Sequence, residues 1–536
     1  MSFVLNDSQQ ISLFDDLAFL SKRKLQMLEK SWAQAFSDHI FTRINEHIFA
    51  PLYSENTNSR PNAPINVVVG ALILKDFINL TDEEITESCE FDFRFQYALH
   101  TTSFVTQPIS ERSLSRFRSR LAAYELTTGE DLLHRCFTEM ADDLRKYMDI
   151  SPNVKRMDSM MIESNIRRMG RLELLHTCLS NLVKELKRDG KIEMIEGLEH
   201  YADPNDRNQV VYHDQTTPQS EKLQKVIDDA MELLPKCQEE YADHEDYQLL
   251  ERAILEQTKQ DDDGRNIPKG KGDGMNSSSL QNPADPDATY RVKAGEEHRG
   301  YAANITETVD KNGTIVTDYQ YDVNTRSDTD FLREMIDNSK TAEETVALIA
   351  DGAYASEELS QRAAEKNIGL LTTGLRGRKP REILTQFEFS EDGHSVTKCP
   401  AGHEPKSSSY IWQTNSIRVS FLRCHCESCP HRTECNVKLK TRTALILLSL
   451  GLLEHTREAI RRKDDETIKL IGRIRNGVET IPSVLRRKYH VDSMPVRGKA
   501  KTRIFFGFKM FALNFSKLWL HERGLGKCRP MQPETA

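Results

Sequence analysis

The sequence predicts an α/β protein built from several domains, because strand-like and helical segments alternate along much of the chain. The strand-like runs are residues 154–166, 300–308, 314–323, 346–350 and 368–373. Helical segments separate the later runs, and this alternation favours a sheet with helices packed on its faces. The chain has 536 residues, more than one hydrophobic core organises, so roughly two to four domains are expected.

The composition is that of a folded protein without a membrane-spanning segment, since 38% of the residues are hydrophobic and 29% are charged. The longest apolar runs, residues 67–74 and 443–453, are too short to cross a bilayer. The start of the chain lacks the basic segment and apolar stretch of a secretory signal. We therefore expect a soluble, cytoplasmic protein with no membrane partner.

Charge is distributed unevenly along the chain. The formal net charge is −9, yet from Thr456 onwards there are 19 Lys and Arg and only 8 Asp and Glu. The rest of the chain is therefore strongly acidic. A basic C-terminal block can bind phosphate, which predicts DNA as a partner. The alternative is a solvated charged surface without a ligand.

The first 150 residues are predicted to form a helical domain. Apolar positions recur at helical spacing through residues 66–77, and Thr81 with Glu84 forms a capping box that starts another helix. Three arginines further on are spaced four apart and share one helix face. They are Arg112, Arg116 and Arg120. Such a helix could enter a DNA groove, or it could be an ordinary amphipathic surface helix.

A helical insertion and a linker are predicted to separate the first strand from the later strands of the same sheet. Residues 170–258 have long, charged, helical patterning after the first strand. Residues 259–288 are rich in Asp, Gly, Asn, Ser and Pro, which predicts a flexible linker. The dipeptide Asn312-Gly313 then predicts a two-residue turn between the strands of a hairpin.

Two aspartates occupy positions at which carboxylates coordinate metal ions. Residues 346–350 form a continuous apolar run, typical of a buried parallel strand, and the run ends at Asp351. Ligands gather at the carboxyl ends of strands in open α/β sheets. A carboxylate buried there is costly unless a cation pairs with it. Asp158, inside the first strand, is the second predicted ligand, and a third must come from elsewhere.

Three sequence blocks resemble the signature blocks of bacterial insertion-sequence DDE transposases. They are RMDSMMIESN at 156–165, ADGAY at 350–354 and RNGVETIPSVLR at 475–486. The resemblance implies an RNase H-like core with a mixed sheet. It also implies that the catalytic metal ligands are Asp158, Asp351 and Glu479. Residues 60–130, 282–301 and 509–515 resemble further parts of the family in the same order.

The resemblance also implies cofactors and phosphate contacts. Two divalent ions, Mg²⁺ or Mn²⁺, would serve the attacking and leaving oxygens, with Asp158 bridging them. Arg475 and Arg486 would then face phosphate rather than metal. Arg487 and Lys488 continue the basic run and are also predicted, from charge alone, to contact DNA. Should Glu479 not be the third ligand, Glu458 and Glu466 are the next candidates.

The family's activity implies a DNA transposase that cleaves at insertion-element ends with water and then joins the freed 3′-hydroxyl to target DNA. Its partners would be the terminal inverted repeats and the target DNA. Holding two ends together implies a homodimer assembled on DNA, in the bacterial nucleoid. Two rival interpretations remain: a catalytically inactive DNA-binding remnant, and an RNase H-like nuclease without strand transfer.

A cluster of cysteines predicts a second kind of metal site. Four of them come from two segments and suit tetrahedral, structural Zn²⁺. They are Cys399, Cys426, Cys429 and Cys435. The alternative ligands are Cys424, His403, His425 and His431. Disulfides and unligated thiols are the other interpretations. A zinc hydrolase is a distant rival, because four thiolates leave no open coordination position.

These expectations divide the chain into seven segments. They are a helical DNA-binding domain (1–150), the first core strand (151–169), the helical insertion (170–258), the linker (259–288), the RNase H-like core (289–380), the cysteine-rich insertion (381–440), and the C-terminal core helices with the basic DNA-binding region (441–536).

Overall fold

The computed structural model describes residues 1–6, 16–56, 58–102, 109–270, 272–274, 276–293, 295–354, 356–372 and 380–526. The chain divides into two compact units. Unit 1 comprises Met1–Pro152, Asp158–Phe331 and the described residues from Thr480 onwards. Unit 2 comprises Asn153–Met157 and Leu332–Glu479. Among the described residues, no helix combines the length and the apolar character needed to cross a bilayer.

The N-terminal part of unit 1 is helical, as predicted. Its helices are α1 (Lys22–Glu29), α2 (Trp32–His39), α3 (Ile65–Ile78), α4 (Asp82–Phe91), α5 (Phe93–Ala98), α6 (Glu111–Thr128) and α7 (Leu132–Tyr147). The first ten residues of α3 are buried because nearly all of them are apolar. The predicted capping box at Thr81 and Glu84 is present at the start of α4.

The first strand, β1 (Val154–Glu163), contributes to both units. The predicted helical insertion follows in unit 1, and two short strands come after it. These elements are α8 (Arg171–Arg188), α9 (Asp206–Asn208), α10 (Gln219–Tyr241), α11 (Glu245–Gln257), β2 (Thr258–Gln260) and β3 (Asn266–Pro268). Residues from α8, α10 and α11 share a hydrophobic cluster, so the insertion has its own core.

The segment predicted to be a flexible linker carries ordered structure. Strands β2 and β3 pair antiparallel within it. Toward its end, Ser279, Asn282 and Asp285 are buried polar residues. Buried polar groups need hydrogen-bond partners, and Asp285 accepts from three groups of unit 1, described below. Residues 271 and 275 lie outside the described residues.

The remaining strands of unit 1 form the predicted hairpin and a neighbour. They are β4 (Thr289–Lys293), β5 (Glu296–Asp310) and β6 (Gly313–Val323), and α12 (Asp328–Asn338) follows. Strand β5 pairs antiparallel with β4 and β6 and lies next to β1. The hairpin is confirmed, but its two turn residues are Lys311 and Asn312, because Asp310 pairs with Gly313. Gly313 is therefore in the strand rather than in the turn.

Unit 2 contains the parallel part of the sheet. Its elements are β7 (Val346–Ala350), α13 (Glu357–Glu365) and β8 (Ile368–Thr372). Strand β7 pairs in parallel with the beginning of β1 and with β8. The apolar run 346–350 is the strand that the sequence predicts, and its residues pack with α12 and α13 in one hydrophobic cluster.

The cysteine-rich part of unit 2 is a small β domain. Its elements are β9 (Glu388–Phe389), β10 (Val396–Lys398), β11 (Ser407–Ile411), β12 (Ser416–Leu422), α14 (Arg423–Glu427), β13 (Lys438–Leu439) and β14 (Thr443–Ser449). Four of these strands form a sheet in the order β11-β12-β14-β13. Because β14 pairs along all of β12, this sheet continues beyond the segment 381–440.

The last helices are α15 (Leu450–Asp464), α16 (Glu466–Asn476), α17 (Thr480–Arg487) and α18 (Lys499–Glu522). Helices α15 and α16 belong to unit 2, whereas α17 and α18 belong to unit 1. Helix α18 is the most buried long helix described near the C-terminus, and it packs against α3, α6, α7 and β6. Its apolar residues therefore join the N-terminal helices to the hairpin within unit 1.

Candidate functional site

Asp158 lies in the part of β1 that belongs to unit 1, and its side chain is partly buried. One carboxylate oxygen accepts from the backbone N–H of Ser159 at 2.9 Å. The hydroxyl of Ser159 donates to Asp328 at 2.6 Å, and the ammonium of Lys293 lies 3.1 Å from the same hydroxyl. Ser159, the residue after Asp158 in the strand, thus contacts an acid and a base that no sequence pattern indicated.

Asp351 lies in unit 2, directly after β7. Its carboxylate accepts from the backbone N–H of Gly352 at 2.6 Å, and its carbonyl accepts from Tyr354 at 3.1 Å. These contacts form the short 3₁₀ turn Gly352–Tyr354. The predicted position at the carboxyl end of a parallel strand is therefore confirmed for this residue.

Glu479 is the last described residue of unit 2 and ends the 3₁₀ turn Gly477–Glu479 between α16 and α17. Its side chain is 53% exposed and forms an ion pair with Arg475, which is 15% exposed. Pro482 lies in the first turn of α17, where a missing backbone N–H leaves no hydrogen bond unmade. Glu479 therefore lies at the end of one 3₁₀ turn that connects α16 directly to α17.

The three basic residues after Glu479 lie in unit 1 and differ in their surroundings. Arg486 donates to the Asp492 carboxylate at 3.0 Å and to the Met161 carbonyl of β1 at 2.8 Å. The ammonium of Lys488 lies over the rings of Phe77 and Tyr489, and burial lowers the pKa of Lys488. All three side chains are exposed overall. Arg486 and Lys488 each contact neighbouring residues of unit 1 as well.

The three arginines predicted to share a face are on α6. Leu114, Phe117 and Leu121 on the same helix are buried, as an amphipathic helix requires. Arg112 and Arg116 are exposed. The guanidinium of Arg120 instead lies 4.6 Å from the centre of the Tyr53 ring. This arrangement fits both interpretations of the helix, a DNA contact or a solvated surface.

The four predicted zinc cysteines converge on one cavity of unit 2. It is lined by Cys399, Cys426, Cys429 and Cys435, together with His403, His425 and His431. Burial and the neighbouring cysteines raise the pKa of Cys435 to about 11, and the same causes raise the pKa of Cys426. In the part of the chain that the structure describes, no three of the four sulfurs lie within 4.8 Å of one another.

The turn that carries Cys399 is closed by hydrogen bonds between Cys399 and His403. The N–H of His403 donates to the Cys399 sulfur at 3.4 Å, and the N–H of Cys399 donates to the His403 carbonyl at 3.0 Å. Gly402 has a φ of +80°, which suits glycine, and closes this turn. These hydrogen bonds fix the position of the Cys399 sulfur beside the cavity.

One other group of ligand-type side chains lies close together in the described residues, at the start of α11. The atoms of Glu185, His244 and Asp246 lie within 4.8 Å of one another. The His244 Nδ1 accepts from the Asp246 backbone N–H at 3.2 Å, so the neutral ring carries its proton on Nε2, 3.3 Å from Glu185. Both ring nitrogens are thus engaged, and this group is a helix cap rather than a metal site.

Two buried polar residues were missed by the sequence analysis. Asp285 is fully buried and accepts from the Tyr301 hydroxyl, the Ser164 hydroxyl and the Gly498 backbone N–H. Arg156 is 5% exposed and contacts the end of α16. No periodicity reveals such residues, because their partners lie far away in the sequence.

Two family models match the chain. The model described as "Transposase DDE domain" matches residues 398–519, and the model described as "Transposase domain (DUF772)" matches residues 26–120. The first range contains the cysteine cavity and Glu479, and the second contains the three arginines of α6. No curated protein and no solved structure gives a significant match.

Proposed function

We propose, from the matches to a transposase DDE domain and a second transposase domain, that the chain is an insertion-sequence DDE transposase that cleaves the ends of an insertion element and joins them to target DNA. The observation that carries the proposal is the pair of transposase-domain matches, one near each end of the chain. The mixed sheet around β1, with a hairpin and two parallel strands, is consistent with an RNase H-like core.

Transposase DDE domains generally use divalent metal ions, and we propose Asp158, Asp351 and Glu479 as their ligands here. Three carboxylates are hard oxygen donors, which is the donor set that Mg²⁺ and Mn²⁺ prefer. When bound, two such ions would activate the attacking oxygen and neutralise the leaving oxygen. Arg475 forms an ion pair with Glu479 and balances its charge.

DNA is the proposed partner of two basic surfaces. Transposases act on DNA, and the exposed arginines Arg112 and Arg116 lie on α6 within the matched N-terminal domain. Arg487 and the remaining basic residues after Thr480 would contact phosphate in the same electrostatic manner. Joining two element ends requires both to be held at once, so we propose that the protein works as a homodimer on DNA in the nucleoid.

The test is incubation of the full chain with Mg²⁺ and a DNA duplex containing the sequence that flanks its own gene. We expect nicks or breaks at the element ends, followed by strand-transfer products when target DNA is added. Hydrolysis without joined products would favour the nuclease alternative. DNA binding without either product would favour the inactive remnant.

A matched pair of variants tests the third ligand. Glu479→Gln should abolish cleavage because it removes a proposed metal ligand. Glu466→Gln should cleave normally, because Glu466 is exposed in the first turn of α16 and pairs with Lys469. The opposite result would move the third ligand to Glu466.

We also propose that the cysteine cavity holds one structural Zn²⁺ ion. Clustered thiols resist ionisation because each thiolate repels the others, and a bound cation removes that repulsion. The N–H donated to the Cys399 sulfur supports the same interpretation. Binding would require the four sulfurs to lie closer together than they do in this structure. His425 is the alternative ligand, since its Nδ1 is buried and lacks a hydrogen-bond partner among the described residues.

A further inference from the structure

Arg156 is a buried charge in the part of β1 that belongs to unit 2. It is 5% exposed, and its backbone pairs in register with Ile349 of the parallel strand β7. A buried guanidinium is costly unless hydrogen bonds replace its hydration. Its Nη1 donates to the carbonyl of Ile474 at 2.5 Å. The sheet of unit 2 and helix α16 are therefore linked by this side chain.

The carbonyl of Ile474 belongs to the last turn of α16, which ends at Asn476. It also accepts from the backbone N–H of Gly477, so the hydrogen bond from Arg156 is its second. Carbonyls at the end of a helix carry partial negative charge, and a cation that donates to one of them stabilises that end. Arg156 thus contacts α16 at the point where the turn Gly477–Glu479 begins.

Gly477 provides the space for this contact. A Cβ atom at this position would lie 2.1 Å from Nη1 of Arg156 and 2.7 Å from its Cζ, well inside van der Waals contact. Gly477 has a φ of −64°, which any residue adopts. The glycine is therefore needed for its lack of a side chain and not for its backbone freedom. The first residue of the turn that carries Glu479 packs directly against the guanidinium.

We propose that Arg156 is a positioning residue that fixes the backbone of the Glu479 turn for metal binding. The inference rests on the proposed role of Glu479 as a metal ligand. Arg156 holds the turn from its helix side, while Arg475 contacts the Glu479 carboxylate itself. Arg156 acts through Glu479 and does not itself touch metal or DNA.

The test measures Mn²⁺ binding to the full chain from the electron paramagnetic resonance signal of free Mn²⁺. Arg156→Met should raise the Mn²⁺ concentration for half-saturation by about 10-fold or more, the usual cost of losing a residue that orients a metal ligand. Arg156→Lys keeps a donor and should recover part of the affinity. Gly477→Ala should act like Arg156→Met, because it displaces the guanidinium while leaving the charge in place. Arg461→Met, which removes an exposed arginine paired with Glu458, should change nothing.

A comparison of single and double variants separates a positioning role of Arg156 from a general loss of protein stability. In a Glu479→Gln background, Arg156→Met should have no further effect on Mn²⁺ binding, because both changes act on one ligand. A further 10-fold loss there would overturn the inference, as would wild-type affinity in Arg156→Met alone. Cleavage of the flanking-DNA duplex is scored in parallel. If the wild type binds Mn²⁺ as expected but never cleaves, the transposase proposal fails while the positioning role stands.

Discussion

Replacing Asp285 should destabilise unit 1 far more than its place in a Gly- and Ser-rich segment would indicate. The side chain is fully buried. One oxygen accepts from the Tyr301 hydroxyl at 2.6 Å and from the Gly498 backbone N–H at 3.1 Å, and the other accepts from the Ser164 hydroxyl. These donors belong to β5, to the start of α18 and to the residue after β1. One carboxylate thus ties together three separate parts of unit 1.

The expected loss in the free energy of unfolding can be worked out from the three donors that Asp285→Ala leaves without an acceptor. Each buried donor left unsatisfied costs about 1–3 kcal/mol, and hydrogen bonds to a charged group lie at the upper end. Because water can enter the space left by Asp285→Ala, we expect a total loss of about 3–5 kcal/mol in the free energy of unfolding. Asp285→Asn retains one carbonyl oxygen and the shape of the side chain, so its loss should stay below about 1.5 kcal/mol.

Asp287→Ala is the matched control. Asp287 is exposed and accepts a single bond, from the Lys499 backbone N–H at 2.8 Å in the first turn of α18. Losing such a helix cap costs about 0.5–2 kcal/mol. The assay is deuterium pulse-labelling at increasing urea, read on peptides from α18, because a chain with two units does not unfold in one step. Equal shifts for Asp285→Ala and Asp287→Ala would refute the reasoning.

Three further predictions concern the proposed functions. Asp351→Asn should lower the cleavage rate by more than about 100-fold while binding to the element ends is retained. Mutating a residue that only orients a metal ligand already lowers activity by about 10–100-fold. A gel-shift assay and a cleavage assay on the same protein measure the two quantities. Arg487→Gln should reduce the slope of log DNA affinity against log salt concentration by about one unit and should leave the free energy of unfolding unchanged. Arg486→Gln should lower both the slope and the stability, because it also breaks the hydrogen bond to Asp492. Elemental analysis of protein purified without added metal should find about one zinc per chain, and Cys429→Ser should lose it.

Elements with strong local signals could be predicted from the sequence. The apolar run 346–350 is β7, and the capping box at Thr81 and Glu84 begins α4. In both cases the residues that determine the structure are neighbours along the chain. The hairpin turn differed by one residue, because the register of the strands, and not the dipeptide preference, decides which residues remain unpaired.

Buried polar contacts between distant segments could not be predicted. Asp285 and the residues that it joins are separated by as many as 213 positions, and Arg156 and Ile474 by 318. A segment rich in Gly, Asn and Ser looks flexible because its local preferences are weak. The three hydrogen bonds to the buried Asp285 carboxylate stabilise one conformation more strongly than those local preferences oppose it. Local composition does not indicate these bonds.

The choice among three candidate glutamates shows what such contacts add. Glu458 pairs with Arg461 on α15, and Glu466 pairs with Lys469 in the first turn of α16; both are ion pairs within one helix. Glu479 forms a pair of similar spacing with Arg475, and pairs of this kind contribute only tenths of a kcal/mol. Glu479 also follows the end of α16, where the Ile474 carbonyl accepts from the buried guanidinium of Arg156 on β1. Backbone held in this way positions a metal ligand before the ion binds, which supports the proposal that Glu479 is the third ligand.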